Sequence, residues 1–194
     1  MTGNNFLSQE ELVNGCARGD RRCQEALYRL YSGKMYAVCI GYSNSRERAK
    51  DVLQDGFIKV FRSIRNFSRQ GSLEGWIRKI MVNTSIDHFR KKKKEGIIFD
   101  ENMIESISSD AQALDHLLAK ELLVLIGQLP EGARLIFNLF AVEGYSHREI
   151  AEILDIREGT SKSQLARAKT LLQDLLQKYN EPKISVPKGV RLEK

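Results

Sequence analysis

Apolar residues recur along the chain mostly at intervals of three and four positions, which is typical of amphipathic α-helices. The three prolines stand at 130, 182 and 187, and the glycines fall between periodic segments. The pattern therefore predicts an all-α protein. We place its helices at about 9–17, 22–42, 45–65, 74–93, 113–127, 131–142, 147–154 and 160–178.

The predicted helices fall into two units. The first unit, 9–94, has apolar stripes that must pack together; on its second helix the stripe is Leu27, Leu30, Tyr31, Met35 and Val38. The second unit, 113–178, contains Leu129-Pro130, where proline suits the first turn of a new helix. Residues 95–112 have weak periodicity and predict a flexible acidic linker, and 179–194 predict a disordered basic tail.

Charge is distributed unevenly along the chain. Residues 1–94 hold 19 Lys/Arg and 9 Asp/Glu, whereas residues 95–116 hold 6 Asp/Glu and no Lys/Arg. The basic first part ends in the cluster 90–94. This asymmetry favours a polyanionic partner for the first unit.

Several function classes are excluded by composition. No apolar run approaches the ~18–20 residues that span a bilayer, so we expect no direct membrane insertion. The N-terminal segment lacks an export signal, and the three cysteines form no C-x-x-C pair, so we expect a reduced cytoplasmic protein. With three histidines and no Cys/His cluster, we expect neither a metal site nor another cofactor.

The segment 145–169 predicts a helix-turn-helix. Ser146 and Glu149 have the spacing of a capping box, and 155–159 is a short turn. Thr160 or Ser161 is expected to cap the next helix, with Ser161 and Gln164 forming a second box. The second helix leaves basic, hydroxyl and small side chains outward: Lys162, Ser163, Ala166, Arg167 and Lys169. Such a set suits a DNA major groove, and the alternative is an ordinary solvated hairpin.

The helix predicted at 74–93 carries a different polar face. Lys79, Asn83, Asp87, Arg90 and Lys94 fall in one sector of about 80°. Asn and Asp can read base edges while Lys and Arg hold phosphates, although an interhelical polar role for Asn83 and Asp87 stays open.

The loop 66–75, just before that helix, could wrap an unstacked base. Phe67 or Arg69 would lie against the face of the base. The alternative is a simple connection with Phe67 in the core, and we expect Trp76 in the core.

The helix predicted at 45–65 has an acidic edge formed by Glu47, Asp51, Gln54 and Asp55. Acidic side chains repel phosphate, so this edge is expected to face solvent or a protein partner.

Three motifs, taken together, resemble those of the extracytoplasmic-function (group IV) sigma factors of bacterial RNA polymerase. Residues 48–61 resemble sigma region 2.2, residues 75–90 resemble regions 2.3–2.4, and 129–137 followed by the helix-turn-helix resemble region 4. The resemblance covers about 12–178 and includes no region 3. Gly56 stands where region 2.2 more usually has Thr or Ala, at a cost of ~1 kcal/mol inside a helix.

The resemblance implies specific roles. Asp51, Gln54 and Asp55 would contact the clamp helices of the polymerase β′ subunit, and the second unit would meet the β flap. The loop 67–75, with Asn83 and Asp87, would read the −10 element and hold an extruded base. Lys162, Ser163, Ala166 and Arg167 would read the −35 element. An anti-sigma protein would be a further partner, and no enzymatic activity is implied.

Three other function classes fit the sequence less well. An autonomous helix-turn-helix regulator would explain 129–178 but would leave the acidic edge and the Asn/Asp face without a role. An enzyme would need a nucleophile–base spacing that the scattered Cys and His residues do not provide. An RNA-binding module would need interleaved aromatic platforms.

Overall fold

The computed structural model describes residues 8–43, 45–94, 122 and 124–180, and none of these residues lies in a strand. The first unit contains α1 (Gln9–Ala17), α2 (Arg21–Tyr42), α3 (Arg46–Ser63), a 3-10 turn (Ile64–Asn66) and α4 (Leu73–Lys94). The second contains helical residues 124–127, α5 (Glu131–Phe137), a π-helical stretch (Asn138–Val142), α6 (His147–Leu154) and α7 (Glu158–Asn180). The all-α prediction is confirmed.

Polar side chains begin the helices of the first unit. Ser8 and Glu11 form a capping box at α1, and the Asp20 carboxylate accepts from the backbone N–H groups of Arg22 and Cys23 at α2. These hydrogen bonds lower the pKa of Asp20. Ser45 caps α3 by accepting from the Arg48 N–H. The caps satisfy backbone donors that would otherwise have no partner, so they fix where each helix starts.

The core of the first unit is built from one face of each of its helices. Leu27, Met35 and Met81 are buried almost completely, as their stripes predict. Leu30 contradicts its predicted stripe, since it is 60% exposed. Tyr31 belongs to the core cluster, and Leu30 projects from α2 about 100° away from it because the two residues are adjacent in a helix.

Several predicted helix ends shift by one or two residues, and two helices of the second unit change in ways that bear on its structure. The helix predicted at 131–142 is α-helical only to Phe137 and continues as the π-helical stretch. The last helix spans Glu158–Asn180 rather than 160–178. The predicted linker 95–112, residues 113–121 and 123 of the predicted helix 113–127, and residues 181–194 lie outside the described residues. The division into domains at 94, 112 and 178 stays a prediction.

The two units are packed against each other. Tyr42, Val82, Ile86 and Phe89 of the first unit share a buried apolar cluster with α5, the π-helical stretch, α6 and α7 of the second. A separate cluster inside the second unit joins residues 125–129 to Ala133 of α5 and to Ala168 and Leu172 of α7.

Candidate nucleic-acid interface

The outward face of α4 is polar and accessible. Lys79, Asn83, Asp87 and Arg90 are all exposed, whereas Ile77, Met81 and Phe89 on the other sides of the helix are buried. The structure therefore keeps the predicted sector together as one surface strip, which we call the α4 strip. The Asp87 carboxylate accepts from Lys59 Nζ of α3 at 2.8 Å, a cross-helix ion pair that sequence spacing does not reveal.

The loop before α4 is anchored to α1. Arg69 has a left-handed backbone (φ 62°), and its guanidinium donates to Glu10 Oε1 at 2.9 Å and to Asn14 Oδ1 at 2.7 Å. Phe67 is only 8% exposed, and its ring centroid lies 5.5 Å from that of Trp76. Of the two roles that the sequence left open for Phe67, the structure supports the core role. Its ring offers no open face to a base, and Arg69 remains the exposed candidate in this loop.

The acidic edge of α3 is also accessible. Asp51, Gln54 and Asp55 are exposed along one side of the helix. Asp55 Oδ2 lies 2.8 Å from His88 Nε2 of α4, while Ile58 extends the edge with an apolar side chain that is 40% exposed. The edge, which we call the α3 edge, thus combines carboxylates with an exposed apolar group, which suits a protein partner better than a nucleic acid.

The first helix of the predicted helix-turn-helix has the expected start. Ser146 Oγ accepts from the Glu149 N–H, and the Glu149 carboxylate accepts from the Ser146 N–H at 2.8 Å. The bond from the Ser146 N–H, followed by one that the Ser146 hydroxyl donates to the same carboxylate at 2.7 Å, holds the pKa of Glu149 below its usual value. The helix ends at Asp155, which has a left-handed backbone (φ 52°) and redirects the chain toward α7. The predicted capping box is confirmed.

The predicted second capping box is wrong. The N–H groups of Thr160 and Ser161 both donate to the Arg157 carbonyl, so α7 begins at Glu158, before Ser161. Ser161 is fully buried, and its Oγ lies 2.9 Å from His147 Nδ1 of α6. Ser161 thus joins the two helices of the motif instead of capping the second. The sequence could not reveal this because a hydroxyl near a helix start suits either role.

The outward side of α7 carries the remaining candidates. Lys162, Ser163, Ala166 and Lys169 are exposed and Arg167 is half-buried, while Leu165, Ala168 and Leu172 pack inward as predicted. Lys162 pairs with Glu158 one turn earlier at 2.7 Å. Both side chains are well exposed, and such pairs contribute little, so Lys162 can exchange this partner for another anion. We call this outward set the α7 strip.

Metal and thiol chemistry have little support among residues 8–43, 45–94 and 124–180. No cluster of His, Cys, Asp and Glu in them could hold a metal ion. Cys16, Cys23 and Cys39 are buried free thiols, and burial raises the pKa of Cys16 to about 11 and that of Cys39 to about 12. Within the same part of the chain, no helix has the length and apolar character needed to cross a bilayer.

Family models match both units. Sigma-70 region 2 matches residues 27–95 and sigma-70 region 4 matches residues 119–172, together more than half of the chain. The extracytoplasmic-function sigma-E factor of Haemophilus influenzae is 28% identical over 183 residues, 88% of this chain and 96% of that protein. The chain belongs to the extracytoplasmic-function sigma factors. It directs RNA polymerase in transcription initiation.

The chain is also similar to a further relative and to a solved structure. The sigma-H factor of Pseudomonas aeruginosa is 28% identical to this sigma factor over 188 residues, 89% of this chain and 97% of that protein. A Bartonella quintana sigma factor RpoE, solved in complex with the anti-sigma factor NepR, is 26% identical. That match covers 79% of this chain and 96% of the other, with a TM-score of 0.47.

In sigma-factor terms, the α3 edge and the α4 strip lie within the region 2 match, and the α7 strip spans 162–169 of the region 4 match. The predicted site residues lie on these three surfaces, apart from the loop residues Phe67 and Arg69, and their roles stay predictions. The sequence alone missed Lys59 and His88, the α3–α4 pairing partners, because spacing along one helix carries no information about a residue on the neighbouring helix.

Proposed function

We propose that this sigma factor reads promoters through two separate surfaces. The α4 strip, with Arg69 of the preceding loop, contacts the −10 element. The α7 strip contacts the −35 element as duplex DNA. The single observation that carries the proposal is the helix-turn-helix itself, in which α6 buries Ile150 and Leu154 while α7 leaves basic, hydroxyl and methyl groups exposed.

The chemistry of the α7 strip suits a major groove. Lys162, Arg167 and Lys169 can reach phosphates or guanine edges, and the short Ala166 allows close approach to a thymine methyl. Ser163 Oγ already donates to the Thr160 carbonyl at 3.1 Å, which leaves the oxygen lone pairs to accept from a base amine.

The α4 strip combines base-reading and phosphate-holding groups. Asn83 supplies an amide with both donors and an acceptor, while Lys79 and Arg90 lie on either side of it along the same face. Extruding a base costs a few kcal/mol, which contacts to the base and neutralisation of the backbone offset. With Phe67 buried, Arg69 and Asn83 are the residues to which we assign the extruded base.

We infer that the α3 edge contacts the β′ clamp helices of core RNA polymerase through Asp51, Gln54 and Asp55, and that the second unit contacts the β flap. An anti-sigma protein is proposed as a regulator on family membership alone. We place the protein in the cytoplasm, together with the polymerase, and assign it no catalysis of its own.

The test is run-off transcription with purified core RNA polymerase on genomic promoter fragments, comparing Arg167→Ala with Lys178→Ala. Lys178 is an exposed cation at the end of the same helix and lies outside the α7 strip. Loss of a base or phosphate contact costs ~1–3 kcal/mol, so Arg167→Ala should lower use of −35-dependent promoters by about tenfold or more. Lys178→Ala should behave as the parent.

The polymerase pull-down of Arg167→Ala should equal that of the parent. If promoter use and polymerase binding fall together, or if Lys178→Ala has the same effect, the assignment of the α7 strip to −35 DNA is wrong. If the parent neither binds polymerase nor selects a start site, the whole proposal fails.

A further inference from the structure

The two helices of the helix-turn-helix are joined at their first turns by a polar contact. Ser161 of α7 is fully buried, and its Oγ lies 2.9 Å from Nδ1 of His147 in α6. A serine hydroxyl both donates and accepts hydrogen bonds, so it can complement Nδ1 in either tautomer of the ring. The contact therefore does not depend on which ring nitrogen carries the proton.

The imidazole ring of His147 is also held from two other sides. It stacks on Phe140 of the π-helical stretch, with ring centroids 4.7 Å apart and an interplanar angle of 23°. The backbone of His147 directly follows Ser146, whose capping box with Glu149 fixes the start of α6. The ring therefore has a defined position independently of Ser161, and its Nδ1 is a fixed point on which α7 is placed.

The hydrogen bond adds direction to the apolar packing of α6 on α7. Ile150 and Leu154 of α6 lie in one buried cluster with Leu165 of α7. Burial of apolar surface is non-directional, whereas a hydrogen bond weakens steeply when its distance or angle changes. The apolar cluster thus brings the two helices together, and the bond between His147 and Ser161 selects the angle between them.

A small change in that angle becomes a large displacement along the α7 strip. Lys169, the last residue of the strip, follows Ser161 by about 12 Å along the helix at ~1.5 Å per residue. A tilt of about 5° at Ser161 therefore moves the backbone of Lys169 by ~1 Å. Side chains that recognise a ligand have to be held within about 0.5 Å of their productive geometry, so a tilt of this size is enough to change which base edges they reach.

We propose that His147 and Ser161 are positioning residues for −35 recognition: their hydrogen bond sets the angle at which α7 presents the α7 strip to the major groove, and with it the −35 sequences that are read. The inference rests on the proposed contact of the α7 strip with −35 DNA. Ser161 has no exposed surface, so it acts through Lys162 and Ser163, which follow it directly on the outward side. A buried polar pair whose members satisfy each other specifies one arrangement of the elements that carry it.

The test is transcription by core RNA polymerase with the full chain on a promoter library that has a randomised −35 element and a fixed −10 element. Ser161→Ala removes the hydroxyl, and His147→Phe removes Nδ1 but keeps a ring that can stack on Phe140. Each variant should change the relative use of −35 sequences that differ by one base by about three- to tenfold at one position or more, because a displaced side chain loses its base contact.

Two further variants separate one shared bond from two independent effects. In the double variant of Ser161→Ala and His147→Phe, the change in base preference should be no larger than in the stronger single variant, because both substitutions remove the same bond. His147→Asn places an amide near the position of Nδ1 and so keeps a hydrogen-bonding partner for Ser161. It should stay closer to the parental preference than His147→Phe does.

The matched control is Ser85→Ala in α4, which removes another buried serine hydroxyl. Ser85 Oγ donates to the Met81 carbonyl of its own helix at 2.9 Å, so its loss leaves the contact between α6 and α7 unchanged. Ser85→Ala should keep the parental −35 preference. Ser161→Ala and His147→Phe should both retain parental polymerase pull-down, because their effect is confined to the −35 surface.

Three results would overturn the positioning role: a parental base preference in both single variants, an equal loss of use across all −35 sequences, or changes that add up in the double variant. An equal loss is what a contact that only stabilises the second unit would give. Arg167→Ala distinguishes these failures from failure of the proposed function. Parental −35 use in Arg167→Ala would refute the α7 strip itself, whereas altered use in Arg167→Ala with a parental preference in Ser161→Ala and His147→Phe would refute only the positioning role.

Discussion

Gly56, in the middle of α3, offers a sharp test of how the first unit is packed. Glycine costs about 0.5–1 kcal/mol relative to alanine inside a helix, so Gly56→Ala would stabilise α3 if nothing opposed the new methyl group. In the structure, Met81 of α4 occupies the space that this methyl group would need. An ideal Cβ at Gly56 would lie 2.3 Å from Met81 Sδ and 3.0 Å from Met81 Cε of α4.

The cost of the clash with Met81 can be compared with the gain in helix propensity. Met81 is fully buried, so its thioether cannot swing into solvent, and forcing extra volume into a packed core costs ~1–3 kcal/mol. The gain in helix propensity offsets part of this cost. We expect Gly56→Ala to lower the free energy of unfolding by about 1 kcal/mol.

The effect of Gly56→Ala on the free energy of unfolding should change sign once the Met81 atoms that obstruct the new methyl group are removed. Met81→Val deletes Sδ and Cε, and the next Met81 atom, Cγ, lies 3.8 Å from the ideal Cβ, which is an ordinary contact. In that background Gly56→Ala should raise the free energy of unfolding by ~0.5–1 kcal/mol. The coupling between the two positions is then about 2 kcal/mol, a size usual for residues in direct contact.

The assay is urea unfolding of the full chain, followed through the fluorescence of Trp76, the single tryptophan. Trp76 packs on Phe67 beside the core that contains Met81, so it reports on the first unit. Gly56→Ala effects of equal sign and size in the two backgrounds would show that Met81 is not the reason for glycine at this position.

Three other substitutions test the α4 strip, the α3 edge and the cap of α6. Asn83→Ala should change the base preference at the −10 element in a promoter-library readout while leaving overall promoter affinity near parental, and an unchanged preference would contradict the base-reading role of the α4 strip. Asp51→Arg should impair polymerase pull-down without altering the melting temperature, because Asp51 is exposed; normal pull-down would contradict the α3 edge. Ser146→Ala should lower the melting temperature of the second unit at pH 7 by removing the cap. The pKa of Glu149 is lowered in the folded state, so the stability it contributes is present above its unfolded pKa and declines as the pH falls through the folded pKa. Ser146→Ala removes the hydroxyl bond to Glu149 and keeps the larger contribution from the Ser146 N–H. Stability should therefore fall slightly less steeply on acidification in Ser146→Ala than in the parent, and a steeper fall would contradict the assignment.

Local signals predicted most of the fold. The Ser146–Glu149 box and the three-and-four spacing of Leu165, Ala168 and Leu172 depend on residues within one or two helical turns, so the sequence displays them directly. The same holds for the α4 strip, whose members share a face through helix geometry alone.

What the sequence could not predict depends on contacts between elements. Arg134 is the clearest case, since its guanidinium is almost fully buried in the second unit and donates from Nη1 to the Gly127 carbonyl at 2.9 Å. Its Nε and Nη2 find no hydrogen-bond partner among the residues that the structure describes, and burial lowers the pKa of Arg134 to about 10. An arginine in an amphipathic helix predicts an exposed position, and only the way α5 packs reverses that expectation. The burial of Phe67 and of Ser161 likewise depends on a neighbouring element, which the sequence near each residue does not show.

The polar contacts between α3 and α4 explain how the functional faces can be occupied in the free protein yet remain available. Lys59 holds Asp87 of the α4 strip, and His88 holds Asp55 of the α3 edge. All four side chains are more than a third exposed, and exposed pairs contribute at most ~1 kcal/mol, so exchanging one for a base, a phosphate or a polymerase side chain costs little. The pairs of Glu143 with Arg78 and of Glu131 with Lys92 join the two units beside a buried apolar cluster, and their carboxylate side chains are only 17% and 18% exposed. The same kind of interaction therefore has two consequences in one molecule: exposed pairs keep the binding faces exchangeable, and shielded pairs strengthen the contact between the two units.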